Sequence, residues 1–112
     1  MTIRTSQELK HAEGVVQRRQ QVAENIGNSD SKSQALYAHG EVCGAVREVA
    51  KHRDNILGDI DNEGAGHAIR VNELHDITLE WLSRSRGALT GWGVSASELR
   101  SMEEAKGVKT WV

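Results

Sequence analysis

The chain has 112 residues with no Pro, no Phe, one Cys, one Tyr, three Trp and 11 Gly, and its 14 basic and 16 acidic side chains give a formal charge of −2. That length supports one domain with a modest core, spanning 1–112, and not two independent cores. The charge balance excludes a general electrostatic attraction to nucleic acid or anionic lipid. No apolar run reaches the roughly 18 residues of a membrane span, and Arg4, Glu8 and Lys10 interrupt the only candidate signal-peptide core. A lone Cys43 forms no intrachain disulfide, so a reducing, cytoplasmic location is the expectation.

Three helix starts are legible as capping boxes, in which a hydroxyl is followed three residues later by Glu or Gln: Thr5 with Glu8, Ser31 with Gln34, and Ser95 with Glu98. Four ends are marked by Gly27, Gly58, Gly87 and Gly107, each following a helix-period stretch where a left-handed residue is expected. The predicted helices run over 6–26, 32–57, 67–86 and 96–106. Lys51, Arg53, Arg84, Arg86 and Lys106 then fall near their last turns, the sign a helix dipole favours. No segment alternates with a period of two, so the predicted class is all-α.

The first helix carries an apolar stripe of Leu9, Ala12, Val15, Val16, Val22, Ala23 and Ile26. The second steps through Ala35, Ala38, Val42, Ala45, Val49, Arg53, Ile56 and Ile60, with Val46 alongside. Its alanines leave little volume, so a partner backbone must come close. The third offers Val71, Leu74, Ile77, Thr78, Trp81 and Leu82; the short fourth offers Leu99, Met102 and Ala105. These faces predict a small bundle of three long helices and a short C-terminal one. The heptad-like faces of helices 1 and 2 point to completion by self-association.

Arg19 and Arg53 sit inside apolar stripes, where a guanidinium must pair or reach water along its stem. They are candidates, with Arg84 and Arg86, for holding an anion between helices. Gly40 and Gly44, one turn apart on the second helix near Tyr37, Arg47 and Lys51, are candidates for close approach of another helix or a ligand. Trp92 and Trp111, on a loop and a tail, are candidates for covering the thin core or for docking a partner. Trp81 lies on a core stripe.

Asp59, Asp61, Glu63 and Gly64 match the first half of an EF-hand calcium loop, but Arg70 stands at the twelfth position, where the ion needs a carboxylate. The segment therefore reads as an acidic interhelical loop. Glu48 and His52, and Glu73, His75 and Asp76, read as solvated charged faces. The absence of Cys-x-x-Cys and His-Glu-x-x-His spacing argues against structural zinc, and no cofactor is implied. Cys43 reads as a small buried hydrophobe with no activating base nearby in sequence. Arg18-Arg19 and Arg84-Ser85-Arg86 are too few and too separated to form a nucleic-acid stripe.

Asn72-Glu73-Leu74-His75-Asp76-Ile77-Thr78-Leu79-Glu80-Trp81 resembles the second carboxylate motif of the all-α MazG-like nucleoside-triphosphate pyrophosphatases. Gly40-Glu41-Val42-Cys43-Gly44-Ala45-Val46-Arg47-Glu48 resembles the first, with Gly44 where the family has its second carboxylate. The resemblance covers about a third of the chain. It implies magnesium held by Glu41, Glu48, Glu73 and Asp76, an arrangement that requires several converging oxygens. The leading expectation is a different class: a small, non-enzymatic interaction protein that binds, occludes or scaffolds a partner. Such proteins occur among regulators and phage or mobile-element accessory proteins. A homo-oligomer is expected, with a partner protein as a further possibility and no membrane.

Overall fold

The computed structural model describes residues 2–58 and 65–109. The order is α1 (Thr2–Glu24), a 3-10 turn (Ile26–Asn28), α2 (Lys32–Leu57), α3 (Ala65–Gly91) and α4 (Ala96–Ala105). The described residues form no strand, and none of their helices is long and apolar enough to cross a membrane. The expected all-α bundle of three long helices and a short fourth is the architecture.

Side-chain pairs give the register. Arg19 meets Glu41 and Glu48 while Glu8 meets His52 and Asn55, so α1 and α2 run antiparallel. His39 meets Ser85 while Arg53 meets Asn72, so α2 and α3 are antiparallel as well. Glu13–Arg70 and Thr5–His67 then place α1 parallel to α3.

The three long stripes meet in one core. Ala12, Val15, Val16 and Ala23 of α1 pack with Val42, Ala45, Val46, Val49 and Ile56 of α2 and with Val71, Leu74, Trp81 and Leu82 of α3. The heptad-like faces of α1 and α2 are thus buried against each other and α3 within one chain. A second, smaller cluster of Ala35, Leu89, Val94 and Leu99 joins α4 to the others, with Leu36 and Met102 packed against it.

Two expected caps are present. The Ser31 and Ser95 hydroxyls accept from the N–H of Gln34 and Glu98 and open α2 and α4. Thr5 is not a cap. The first helix already begins at Thr2, and the buried Thr5 hydroxyl lies 2.9 Å from His67 Nδ1 on α3, a tertiary use of the group. The third helix runs through exposed Gly87 to Gly91, because Leu82, Ser85 and Leu89 keep one face turned inward past that glycine. The closing residue is Gly93, at φ 86°. The Val94 N–H bonds Leu89 O and the Gly93 N–H bonds Thr90 O, both at 3.0 Å, the pairing of a Schellman motif with its Leu89–Val94 apolar contact.

Gly107 (φ 83°) closes α4 in the same way, through Val108 N–H to Glu103 O and Gly107 N–H to Glu104 O. Gly58 ends α2 with a right-handed φ of −78°, and Gly27 sits inside the 3-10 turn without a positive φ. With α3 extended to Gly91, Arg84 and Arg86 leave its last turn, and each pairs with a carboxylate instead.

Candidate functional site: a buried ion network beneath an apolar groove

The densest chemistry lies where α4 meets α2 and α3. Glu103 is fully buried, a position a carboxylate rarely occupies unless paired. Arg86 of α3 supplies the pairing: its Nε donates to Glu103 Oε2 at 2.9 Å and to Oε1 at 3.2 Å, and its Nη2 also reaches Oε1. His39 of α2 completes the cluster. Its Nε2 lies 3.3 Å from Glu103 Oε2, and its Nδ1 bonds the hydroxyl of buried Ser85.

Serine, histidine and glutamate in contact invite comparison with a hydrolase triad, but the burial and charge pattern oppose it. Ser85 and Glu103 are 0% exposed and His39 is 2% exposed, so no substrate reaches the hydroxyl. Arg86 also neutralises the carboxylate that would orient the histidine. The network does mechanical work: it fixes the register of a ten-residue helix whose other anchors are Leu99 and, just beyond its end, Val108.

Burial holds His39 below its ordinary value of 6.5, against the attraction of Glu103 and with repulsion from Arg86 and Lys106. The imidazole is therefore neutral at neutral pH. A histidine lowered on folding favours the unfolded state as the unfolded group gains its proton first. Stability is accordingly full above pH 6.5 and falls as pH drops through that value toward the depressed one. Thermal unfolding followed from pH 8 to 5 should show this decline, and His39→Gln should flatten part of it. His75, also lowered by burial and by Arg53, accounts for a remaining slope.

Above the network lies a groove of about 430 Å³ between α2 and α4, lined by Leu36, Gly40, Cys43, Met102, Ala105 and Lys106. Cys43 is buried, as its place beside the apolar seam implies, and burial pushes its thiol up to about 11. An inert thiol of this kind is no nucleophile.

The sequence-predicted candidates are dispersed over the molecule. Arg19 lies across Gly44, pairing with Glu48 at 3.2 Å and Glu41 at 3.5 Å. A Cβ at Gly44 would overlap that guanidinium, so the close approach there comes from an arginine of α1. At Gly40 the neighbour is Lys106. Arg53 donates to Asn72 at 2.6 Å, Arg84 pairs with Glu80 at 2.9 Å, and Arg86 holds Glu103. Glu73 pairs with Arg70 at 3.0 Å, and Asp76 is exposed on α3.

Glu41 and Glu48 thus share Arg19 while Glu73 is held by Arg70, and among the described residues no three His, Cys, Asp or Glu are grouped to hold a metal ion. Trp81 is buried and Trp92 is 41% exposed. Trp111 and the acidic stretch Asp59, Asp61, Glu63 and Gly64 lie outside the described residues.

The helical stripes contained a signal for the network. His39 follows Ala35 by four positions, Ser85 follows Leu82 by three, and Glu103 follows Leu99 by four, so each is a polar residue on an apolar face. On α4 the buried face is Leu99 and Glu103, rotated from the expected Leu99, Met102 and Ala105; Ala105 is exposed. Comparison of the chain with protein families, curated proteins and solved structures finds no match.

Proposed function

We propose that this chain is a small, non-enzymatic interaction protein that recognises another polypeptide through the end of the bundle where α2 begins and α3 closes. The observation that carries this reading is the placement of aromatic side chains. Tyr37, on α2, is 67% exposed and Trp92, on the α3–α4 turn, is 41% exposed, while Trp81 alone of the described Trp and Tyr residues is buried. Rigid aromatics left in water at one end of a molecule are the residue types that dominate binding hot spots. Beside Tyr37 a depression of about 330 Å³, with Val22, Ile26 and Ala38 in its lining, offers a place for a partner's apolar side chain.

A second copy of the chain is the first occupant to consider. The radius of gyration, 15.0 Å, exceeds the roughly 13 Å of a compact domain of this length. An elongated protomer leaves more side surface for pairing. The separation of Glu41 and Glu48, which share Arg19, from Glu73 on Arg70 weighs against the magnesium-hydrolase alternative, since no three acidic, His or Cys side chains are grouped among the described residues.

A photocrosslinking residue at position 37 tests the reading, with the same probe at exposed position 84 as control. One dominant polypeptide joined at 37 and not at 84 is expected, and light scattering shows whether it is a second copy. Indiscriminate labelling at both positions, or a thermal shift with magnesium and a nucleoside triphosphate accompanied by hydrolysis, overturns it.

A further inference from the structure

We propose that the groove between α2 and α4 is a binding site for a small amphipathic carboxylate, its apolar body against Leu36, Met102 and Cys43 and its acid group on Lys106. The inference stands apart from the Tyr37 and Trp92 surface and rests on how the groove is kept open and charged. Along one side the fourth helix is anchored by Leu99 in the small apolar cluster, by Glu103 on Arg86 and, just beyond its end, by Val108 in the main core. Its other side stands over α2, and the space between is bordered by the two smallest side-chain types, Gly40 and Ala105.

Gly40 is informative beside Gly44. A Cβ at Gly44 would overlap the Arg19 guanidinium, so a side chain there would displace the tip of that arginine from its place over α2. A Cβ at Gly40 would meet only Lys106 Cε and Nζ, at 3.6 Å, an ordinary contact. Glycine weakens a helix interior, and at position 40 the fold itself gives no reason for it. Its missing side chain leaves the wall of the groove on α2 open.

Charge completes the argument. Arg19, Arg70, Arg84, Arg86 and Arg100 each pair with a carboxylate of the chain. Lys106 has no such partner among the described residues: neighbouring Glu103 is held by Arg86, and Glu104 by Arg100. The ammonium nevertheless lies against Gly40, at the edge of the apolar groove. A mostly apolar cavity of about 430 Å³, with a cation at its rim that pairs with no carboxylate of the described residues, has the size and chemistry of a small-ligand pocket.

The test uses octanoate, with octanol supplying the same body without charge and acetate the charge without the body. Calorimetry on the full chain should give one octanoate per chain, with octanol and acetate each at least about tenfold weaker. Lys106→Met, at an exposed side chain, should weaken octanoate about tenfold and leave octanol unchanged. Gly40→Leu should fill the groove and abolish octanoate binding with the far-UV circular dichroism retained. Equal affinity for octanoate and octanol, an unaffected Lys106→Met variant, or binding that survives in a folded Gly40→Leu variant overturns the proposal. If Gly40→Leu does not fold, Lys106→Met decides alone.

Discussion

Replacing Arg86 with Met is expected to destabilise the protein by about 3–5 kcal/mol, because it strands a carboxylate in the interior. Glu103 is 0% exposed and takes hydrogen bonds at 2.9 and 3.2 Å from Arg86 Nε. Methionine fills a similar volume, so packing is largely retained and the lost partner is what the measurement reads. Arg86 is one of the groups that hold His39 below its ordinary value, so the variant also relaxes that imidazole toward protonation beside Glu103; the comparison is therefore made at pH 8, where a His39 charge offsets least of the loss. Urea denaturation monitored by circular dichroism gives the number directly. With a slope of roughly 1–3 kcal/mol per molar urea for a small protein, the midpoint should fall by at least about 1 M.

The companion double variant, Arg86→Met with Glu103→Leu, sharpens the point. Removing both charges together leaves no stranded ion, and apolar replacements of buried ion pairs are often neutral or stabilising. The double variant should therefore be markedly more stable than Arg86→Met alone, a coupling of at least about 1 kcal/mol in a double-mutant cycle. A single variant within about 1 kcal/mol of the parent would mean that Glu103 finds water or another cation, and the network would lose its role as the anchor of α4. For a domain whose total stability is about 5–15 kcal/mol, the expected loss is a large fraction of the whole.

Much of the architecture was legible in the sequence, and the reasons are local. Helix α2 is bounded as expected at 32 and 57, since Ser31 supplies a cap bond within three residues and Gly58 ends the periodic stripe. Ser95 opens α4 for the same reason. Where a boundary depended on tertiary partners the local signal misled. Thr5 has the spacing of a cap, but its hydroxyl is engaged by His67 across the bundle. Gly87 has the look of a terminator, but the burial of Ser85 and Leu89 on either side holds α3 together to Gly91.

The site was less legible than the fold for the same physical reason. A buried His39, Ser85 or Glu103 is tolerable only beside its partners, and those partners come from three different helices. Read singly, Glu103 is a surface residue of a short helix and His39 an interruption in an alanine-rich stripe. At the glycine pair of α2, expected to admit another helix or a ligand, the neighbours are side-chain ends, and the two glycines differ in which one they meet. Only the geometry separates Gly44, which accommodates Arg19, from Gly40, whose space is left open below Lys106.

Replacing Leu89 with Ala is expected to destabilise the protein by about 2–4 kcal/mol and to do so unevenly along the chain. Leu89 is fully buried, but in the small cluster with Ala35, Val94 and Leu99 and not in the main core. It is also the α3 residue whose carbonyl receives Val94 N–H and whose side chain makes the accompanying apolar contact. Truncation removes both the lateral packing of α4 and the apolar half of the turn that aims it. Amide exchange should then rise most strongly over 96–105, with smaller changes in α1 and in the middle of α2. Leu74→Ala is the control, since Leu74 is just as buried but belongs to the main cluster and should loosen all three long helices together. Identical exchange patterns from the two variants would show that α4 opens only with the whole bundle. A selective loss at Leu89→Ala would establish α4 as a separately opening element. Its release would then be set by one apolar cluster, one buried ion network and the Val108 contact with the main core.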